Sequence, residues 1–197
     1  YFPQMHGQEV IYFFFFLLGL QPKSAQDHIL NQLEDWATFG SQANQYARTP
    51  WHTYHEQFAA PLAKIVGAKP SEITVMNQLS VNLHLLMVSF YRPDKKRYKI
   101  LCEVDAFPSD QYAMESQVHF HGFDPEDTLI VVSPREGEHC IRHEDIFETI
   151  EKHKDSLALV LMSGANYYTG QIVDMQRITA SAHHAGALVG FDLAHAV

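Results

Sequence analysis

The chain has 197 residues, enough for one sizeable domain or a large piece of one, and 46% of them are hydrophobic, 19% charged and 12% aromatic. A net charge of -9 without a compensating basic stripe argues against a nucleic-acid partner. Two cysteines, Cys102 and Cys140, form no disulfide framework and suit a reducing cytoplasm.

The first apolar stretch, IYFFFFLLGL (residues 11–20), is too short and too glycine-interrupted for a bilayer span. It also lacks the basic flank and cleavage pattern of a signal peptide, so it predicts a buried strand entering a turn at Gly19. QPKSAQDHILNQLEDWATF predicts a helix opened by Pro22 and Ser24, with Ile29, Leu30, Leu33, Trp36 and Ala37 on one face. More helix follows in TPWHTYHEQFAAPLAKIVGA, closed by Gly67. ITVM reads as a short strand, and a helix runs from about Val81 to Phe90. RYKILCEV is a strand, and PSDQYAMESQVHF is a helix with Ser109 as its cap. DTLIVVS predicts a strand, RHEDIFETIEKH a helix, SLALVLMSG an apolar strand, MQRITASAHHAG a helix and ALVGFDL a last strand.

Strands and helices alternate, and the late strands are apolar throughout. The fold class is therefore α/β, a mostly parallel sheet flanked by helices on both faces. Such sheets bind ligands beyond the carboxyl ends of their strands, which singles out residues 78–80, 106–110, 163–164 and 192–195. Ser80, where a strand hands over to a helix, suits a phosphate or a plain N-cap. Asp192, ending a buried strand, needs a cation or donors, for which a protonated pyridine nitrogen qualifies, or it caps a helix. Phe107 could stack on a flat ring or pack in the core, with Asp110 a second carboxylate beside that ring or an ordinary first-turn residue. No Walker loop, GxGxxG fingerprint or GxSxG elbow is present. The thirteen histidines include His119 and His121, which would share a face if extended, and a His139, Cys140, His143 group. Neither set has structural-zinc spacing, so no metal is expected.

In this order MNQLSVNLHLLMVSFYRPDKKRYKIL, AFPSDQYAMESQ, PREGE, YYTGQ and GFDLAHAV resemble the kynureninase family from about Ile11 to Val197. The order also argues against a related class-V aminotransferase or desulfurase. The resemblance implies pyridoxal 5'-phosphate as cofactor and the type I, aspartate-aminotransferase-like fold. It implies a cytoplasmic homodimer whose reaction hydrolyses kynurenine or 3-hydroxykynurenine to an anthranilate and alanine. It further implies an N-terminal segment and helix over 1–50, and over 51–197 a partial large domain whose remainder, with the small domain, is absent.

By the same resemblance Leu79 and Ser80 lie at the cofactor phosphate, Phe107 stacks on its ring, and Pro108, Ser109 and Asp110 complete that loop. Ser163 falls at another cofactor contact, Asp192 pairs with the ring nitrogen, and His195 lies beside the ring oxygen and phosphate side. The lysine that carries the cofactor as a Schiff base falls past Val197, because the eight lysines here stand in other contexts. Residues 1–197 alone are therefore expected to be an inactive fragment that at most dimerises or binds cofactor weakly. Two departures bear on substrate: Phe15-Phe16-Leu17 replaces a polar turn of the family, and Asn44 aligns with a substrate-contacting histidine.

Overall fold

The computed structural model describes residues 1–13 and 18–196, so Phe15-Phe16-Leu17 lies outside the described residues. Contacts divide the chain into two compact units, Tyr1–Met76 and Asn77–Val197.

The first unit opens with a short antiparallel hairpin, β1 (Gln4–Met5) and β2 (Gln8–Glu9). Helix α1 (Ala25–Phe39) starts after Ser24 as the sequence predicts and stops where Gly40 takes a positive φ of 53°. The one-turn α2 (Ala43–Tyr46), a 3-10 stretch (Trp51–Phe58) and α3 (Ala59–Val66) follow, the last closed by left-handed Gly67. Two expected strands are not seen among the described residues. The described parts of the 11–20 stretch carry no strand, and Ile11, Phe13 and Leu18 are exposed. ITVM follows a 3-10 turn at Pro70–Glu72 and pairs with nothing, so its β-branched residues have no ladder to join.

The second unit contains α4 (Leu79–Phe90), β3 (Lys99–Glu103), α5 (Pro108–Phe120), the one-turn α6 (Pro125–Thr128), β4 (Leu129–Val132), α7 (His143–His153), β5 (Leu157–Ser163), α8 (Met175–His184) and β6 (Leu188–Asp192). All four strands are parallel, in the order β4-β3-β5-β6. Helices cover both faces. Met87 and Tyr91 of α4 with Met114 and Val118 of α5 pack over Ile100, Cys102, Leu159 and Leu161. On the other face Ile146 and Ile150 of α7 with Ile178 and Ala182 of α8 pack over Leu101, Val160 and Met162. Successive strand residues thus feed opposite cores, which is why β5 is apolar from Leu157 to Met162.

The chain leaves β3 for β4 on one side and then crosses back to β5 on the other. The strand order therefore reverses between β3 and β5, where an open parallel sheet forms its ligand crevice. Among the described residues no helix is long and apolar enough to cross a membrane.

Candidate functional site

The site is built from the last residue of each strand bordering that reversal and the loops that follow. β5 and β6 pair up to Ser163 opposite Asp192, and the Gly164 N–H donates to the Asp192 carbonyl at 2.8 Å. Ser163 is buried, and its hydroxyl donates to Glu103 Oε1 at 2.6 Å while its N–H donates to Oε2 at 3.2 Å. Burial pushes the Glu103 carboxyl up, opposed by these hydrogen bonds.

Asp110 is 4% exposed in the first turn of α5, so burial sets its chemistry. Its carboxyl is pushed up to about 7, first by burial and then by a hydrogen bond to, and repulsion from, Asp192. Beside a second carboxyl in a partly dry site, Asp110 keeps its proton to an unusually high pH, and a cation at the pair would relieve that repulsion. Asp192 Oδ1 also accepts from the Ala194 N–H at 2.8 Å, fixing the turn that leads to His195. The two readings of Asp192, turn cap and partner of a charged group, are thus compatible.

Three rings border the acids. Phe107 meets Tyr167 edge-on at 5.2 Å between centroids and lies 6.1 Å from His195, and Tyr167 is 6.0 Å from His195. Phe107 is 39% exposed, which rules out ordinary core packing and leaves ring surface open for stacking. Pro108 occupies the first helical position of α5, so Phe107 is the N-cap and Ser109 lies inside the first turn. That corrects the expectation of Ser109 as cap; its hydroxyl donates to Asp110 Oδ1 at 3.2 Å.

Gln78 caps α4, placing Leu79 and Ser80 in its first turn two residues earlier than periodicity suggests. Ser80 is therefore not the N-cap, and the first-turn N–H groups of this twelve-residue helix have no intrahelical acceptor. The Asn77 N–H donates to Asn82 Oδ1 at 2.9 Å and Asn82 Nδ2 returns a bond to the Asn77 carbonyl at 2.8 Å, which staples the approach to this turn. Leu79 shares a cavity of about 670 Å³ with Asp192, Leu193 and Ala194. Phe107, Asp110, Ser163 and His195 join Asp192 by the contacts described above; Ser80 enters only as the neighbour of Leu79. Asn44 belongs to the other unit, exposed on α2 with its Nδ2 donating to the Ser41 carbonyl at 2.9 Å.

His119 and His121 stand at the end of α5 and are not extended, so they do not share a strand face; His121 packs edge-on against Tyr91. His143 Nε2 accepts the Asp174 N–H at 3.0 Å. Among the described residues no three His, Cys, Asp or Glu side chains gather as a metal site. Sequence reasoning missed Glu103 and Tyr167. Glu103 ends KILCE as Asp192 ends its own strand, a signal that was available, whereas nothing in NYYTG distinguishes Tyr167 from its neighbour.

Over 195 residues the chain is 61% identical to a kynureninase of Flavobacterium psychrophilum, covering 99% of this chain and 46% of that protein. The chain is kynureninase-like. A kynureninase of Nematostella vectensis is 52% identical over 96% of the chain and 41% of that protein. For a Rattus norvegicus kynureninase the identity is 49%, over 95% of the chain and 40% of that protein. The kynureninase-like chain thus spans about half the length of the curated relatives it matches, 46% for the first of them. No family model matches it. Among solved structures, C-DES with glycine covalently linked to its PLP cofactor superposes with a TM-score of 0.74 at 16% identity, over 93% of this chain and 46% of that one. The cysteine desulfurase CsdA of Escherichia coli gives 0.63 at 15%, over 90% and 43%. Likeness at such low identity establishes the fold, that of the type I pyridoxal-phosphate enzymes.

Proposed function

We propose that the protein to which this chain belongs is a pyridoxal-phosphate-dependent hydrolase that cleaves kynurenine or 3-hydroxykynurenine to anthranilate or 3-hydroxyanthranilate and alanine. One observation carries the reading. In a chain 61% identical to a kynureninase, the buried Asp110 carboxyl, hydrogen-bonded to the partly exposed Asp192, and the partly exposed Phe107 ring meet at the sheet's ligand crevice.

These residues fit the cofactor on their own chemistry. Asp110 and Asp192 are carboxyls in want of a positive partner, and a protonated pyridine nitrogen supplies one. The Phe107 ring offers a stacking face, and the first turn of α4 offers N–H groups and the Ser80 hydroxyl to a phosphate. Bound pyridoxal phosphate supplies an electron sink for charge developing at the substrate α-carbon. Asp192 would hold the proton on the ring nitrogen, with Asp110 hydrogen-bonded to Asp192, and Phe107 would stack on the ring. Pro108 and Ser109 would shape that loop, Leu79 and Ser80 would take the phosphate, and Ser163 and His195 would contact the cofactor. Asn44 contacts substrate. We further place the protein in the cytoplasm as a homodimer acting in tryptophan breakdown.

Residues 1–197 by themselves perform none of this chemistry. No lysine lines the cavity beside Asp192, and Lys69, Lys99 and Lys154 pair with Glu72, Asp127 and Glu151. A covalent hold on the cofactor aldehyde needs an amine at the site.

The test is product release by the whole protein with pyridoxal phosphate, comparing kynurenine with 3-hydroxykynurenine. Anthranilate or its 3-hydroxy form, with equimolar alanine, is expected; neither product from either substrate overturns the reading. The isolated chain with the same cofactor should give no product and no Schiff-base band attributable to a specific active-site lysine.

A further inference from the structure

The parallel ladders around the crevice end at different heights. β3 pairs with β4 as far as Glu103 opposite Val132, and β5 pairs with β6 as far as Ser163 opposite Asp192. Between β3 and β5, however, the last backbone partners are Leu101 and Val160, after an irregularity at Lys99 and Ile100. Beyond that point no backbone pairing joins the two strands among the described residues, which leaves a gap in the ladder beside the Ser163 N–H.

The Glu103 side chain fills that gap. It is 4% exposed, one oxygen accepts the Ser163 N–H at 3.2 Å, and the other accepts the Ser163 hydroxyl at 2.6 Å. The Asn166 side chain, in the loop after β5, further favours the ionised form of this carboxyl. Ser163 is locked in turn to Asp192 by strand register and by the neighbouring Gly164 N–H. A buried carboxyl is costly unless hydrogen-bonded, and here the donors come from the strand end bordering the crevice.

We propose that Glu103 is a positioning residue: its carboxyl, in place of backbone pairing, ties the end of β5 to β3 and thereby sets where Ser163 and Asp192 stand relative to the bound cofactor. The inference rests on the pyridoxal-phosphate reading above, and it concerns the chain's own scaffold beneath the residues that touch the cofactor.

Three variants of the whole protein separate this role from bulk stability. Glu103→Gln retains length; its amide oxygen can accept the Ser163 N–H while its amide nitrogen donates to a hydroxyl that turns to accept. Glu103→Asp keeps the carboxyl but is one methylene too short for the gap. Glu103→Ala leaves the Ser163 N–H unsatisfied. Dissociation constants for pyridoxal phosphate and the pH midpoint of its absorption band are measured for each, with circular dichroism reporting the fold. The expected result is weakening by about tenfold or more, with a displaced midpoint, for Glu103→Ala and Glu103→Asp, and a change under about threefold for Glu103→Gln. Should Glu103→Ala not fold, Glu103→Asp and Glu103→Gln decide. Wild-type affinity and midpoint in Glu103→Asp overturn the proposal, and so does equal impairment of Glu103→Gln and Glu103→Asp. If the unmutated protein binds no pyridoxal phosphate, the cofactor reading falls and this inference with it; normal binding with indifferent variants removes this inference alone.

Discussion

Asp110 shows how far one contact can reset a side chain. An aspartate in the first turn of a helix normally gains from the free N–H groups there and stays ionised. At Asp110 burial and the Asp192 carboxyl outweigh that gain, and its proton is held up to about pH 7 against an ordinary value of 3.8. The sign follows from linkage. Below 3.8 the group is protonated whether the chain is folded or not, and its full contribution to stability is present. Between 3.8 and about 7 the unfolded chain releases a proton that the folded chain keeps, so stability drains away as pH rises. Asp110→Asn keeps a donor toward Asp192 and cannot ionise. In the cofactor-free whole protein it should therefore gain on the wild type as pH rises from 4 to 8, by at most about 4 kcal/mol at one pKa unit per 1.36 kcal/mol. Melting temperatures across that range check it. A gap between the two proteins that stays constant with pH contradicts the proton held by Asp110.

At the scale of elements the sequence was legible where periodicity and strand position agree. β3 to β6 and helices α5, α7 and α8 lie where apolar runs and helical spacing put them, whereas the one-turn α6 takes Asp127 and Thr128 from the expected strand; the ends of β5 and β6 bring together Ser163 and Asp192 as expected from strand-end logic. Caps were less legible, because Ser109 and Ser80 are good cap residues that each fall two positions beyond the actual N-caps, Phe107 and Gln78. Glu103 was overlooked because it falls inside the expected strand RYKILCEV rather than at its end; its side-chain bonds to Ser163 give it a task. Periodicity also announces an apolar stripe without saying what covers it, and Ile29, Leu30, Leu33 and Trp36 of α1 are all more than half exposed.

Gly164 belongs to this scale too, since it joins β5 to the site. A Cβ there would stand 2.6 Å from Leu193 Cδ2 and 3.3 Å from Met175 Sδ. Leu193 sits between Asp192 and His195, so relief of that clash moves the turn carrying both. Gly164→Ala should cost about 1–3 kcal/mol in the whole protein and lower its retention of pyridoxal phosphate. Thermal melting and gel filtration with cofactor absorbance check the two effects; a variant matching the wild type in both would show that the turn tolerates the shift.

For the chain as a molecule in solution, the question is what its uncovered apolar surface does. Among the described residues β6 pairs only with β5, so its other edge presents backbone groups without a strand partner there, and Leu188 on β6 is 45% exposed. Beside that edge the cavity wall continues through Leu86 and Phe90 of α4, which are 47% and 58% exposed, with Val88 at 54% nearby. A contiguous apolar wall next to an open strand favours association of the isolated chain. The net charge of -9 opposes it only at long range, and salt screens that repulsion. Residues 1–197 alone should therefore elute from size exclusion as oligomers or aggregates, more so at higher salt. Leu188→Lys blocks the strand edge, whereas Leu86→Lys interrupts the helical wall, so the variant that restores a monomer identifies the surface in use. A sharp, concentration-independent monomer peak for the unmodified chain at both low and high salt would mean that neither surface is sticky enough to matter.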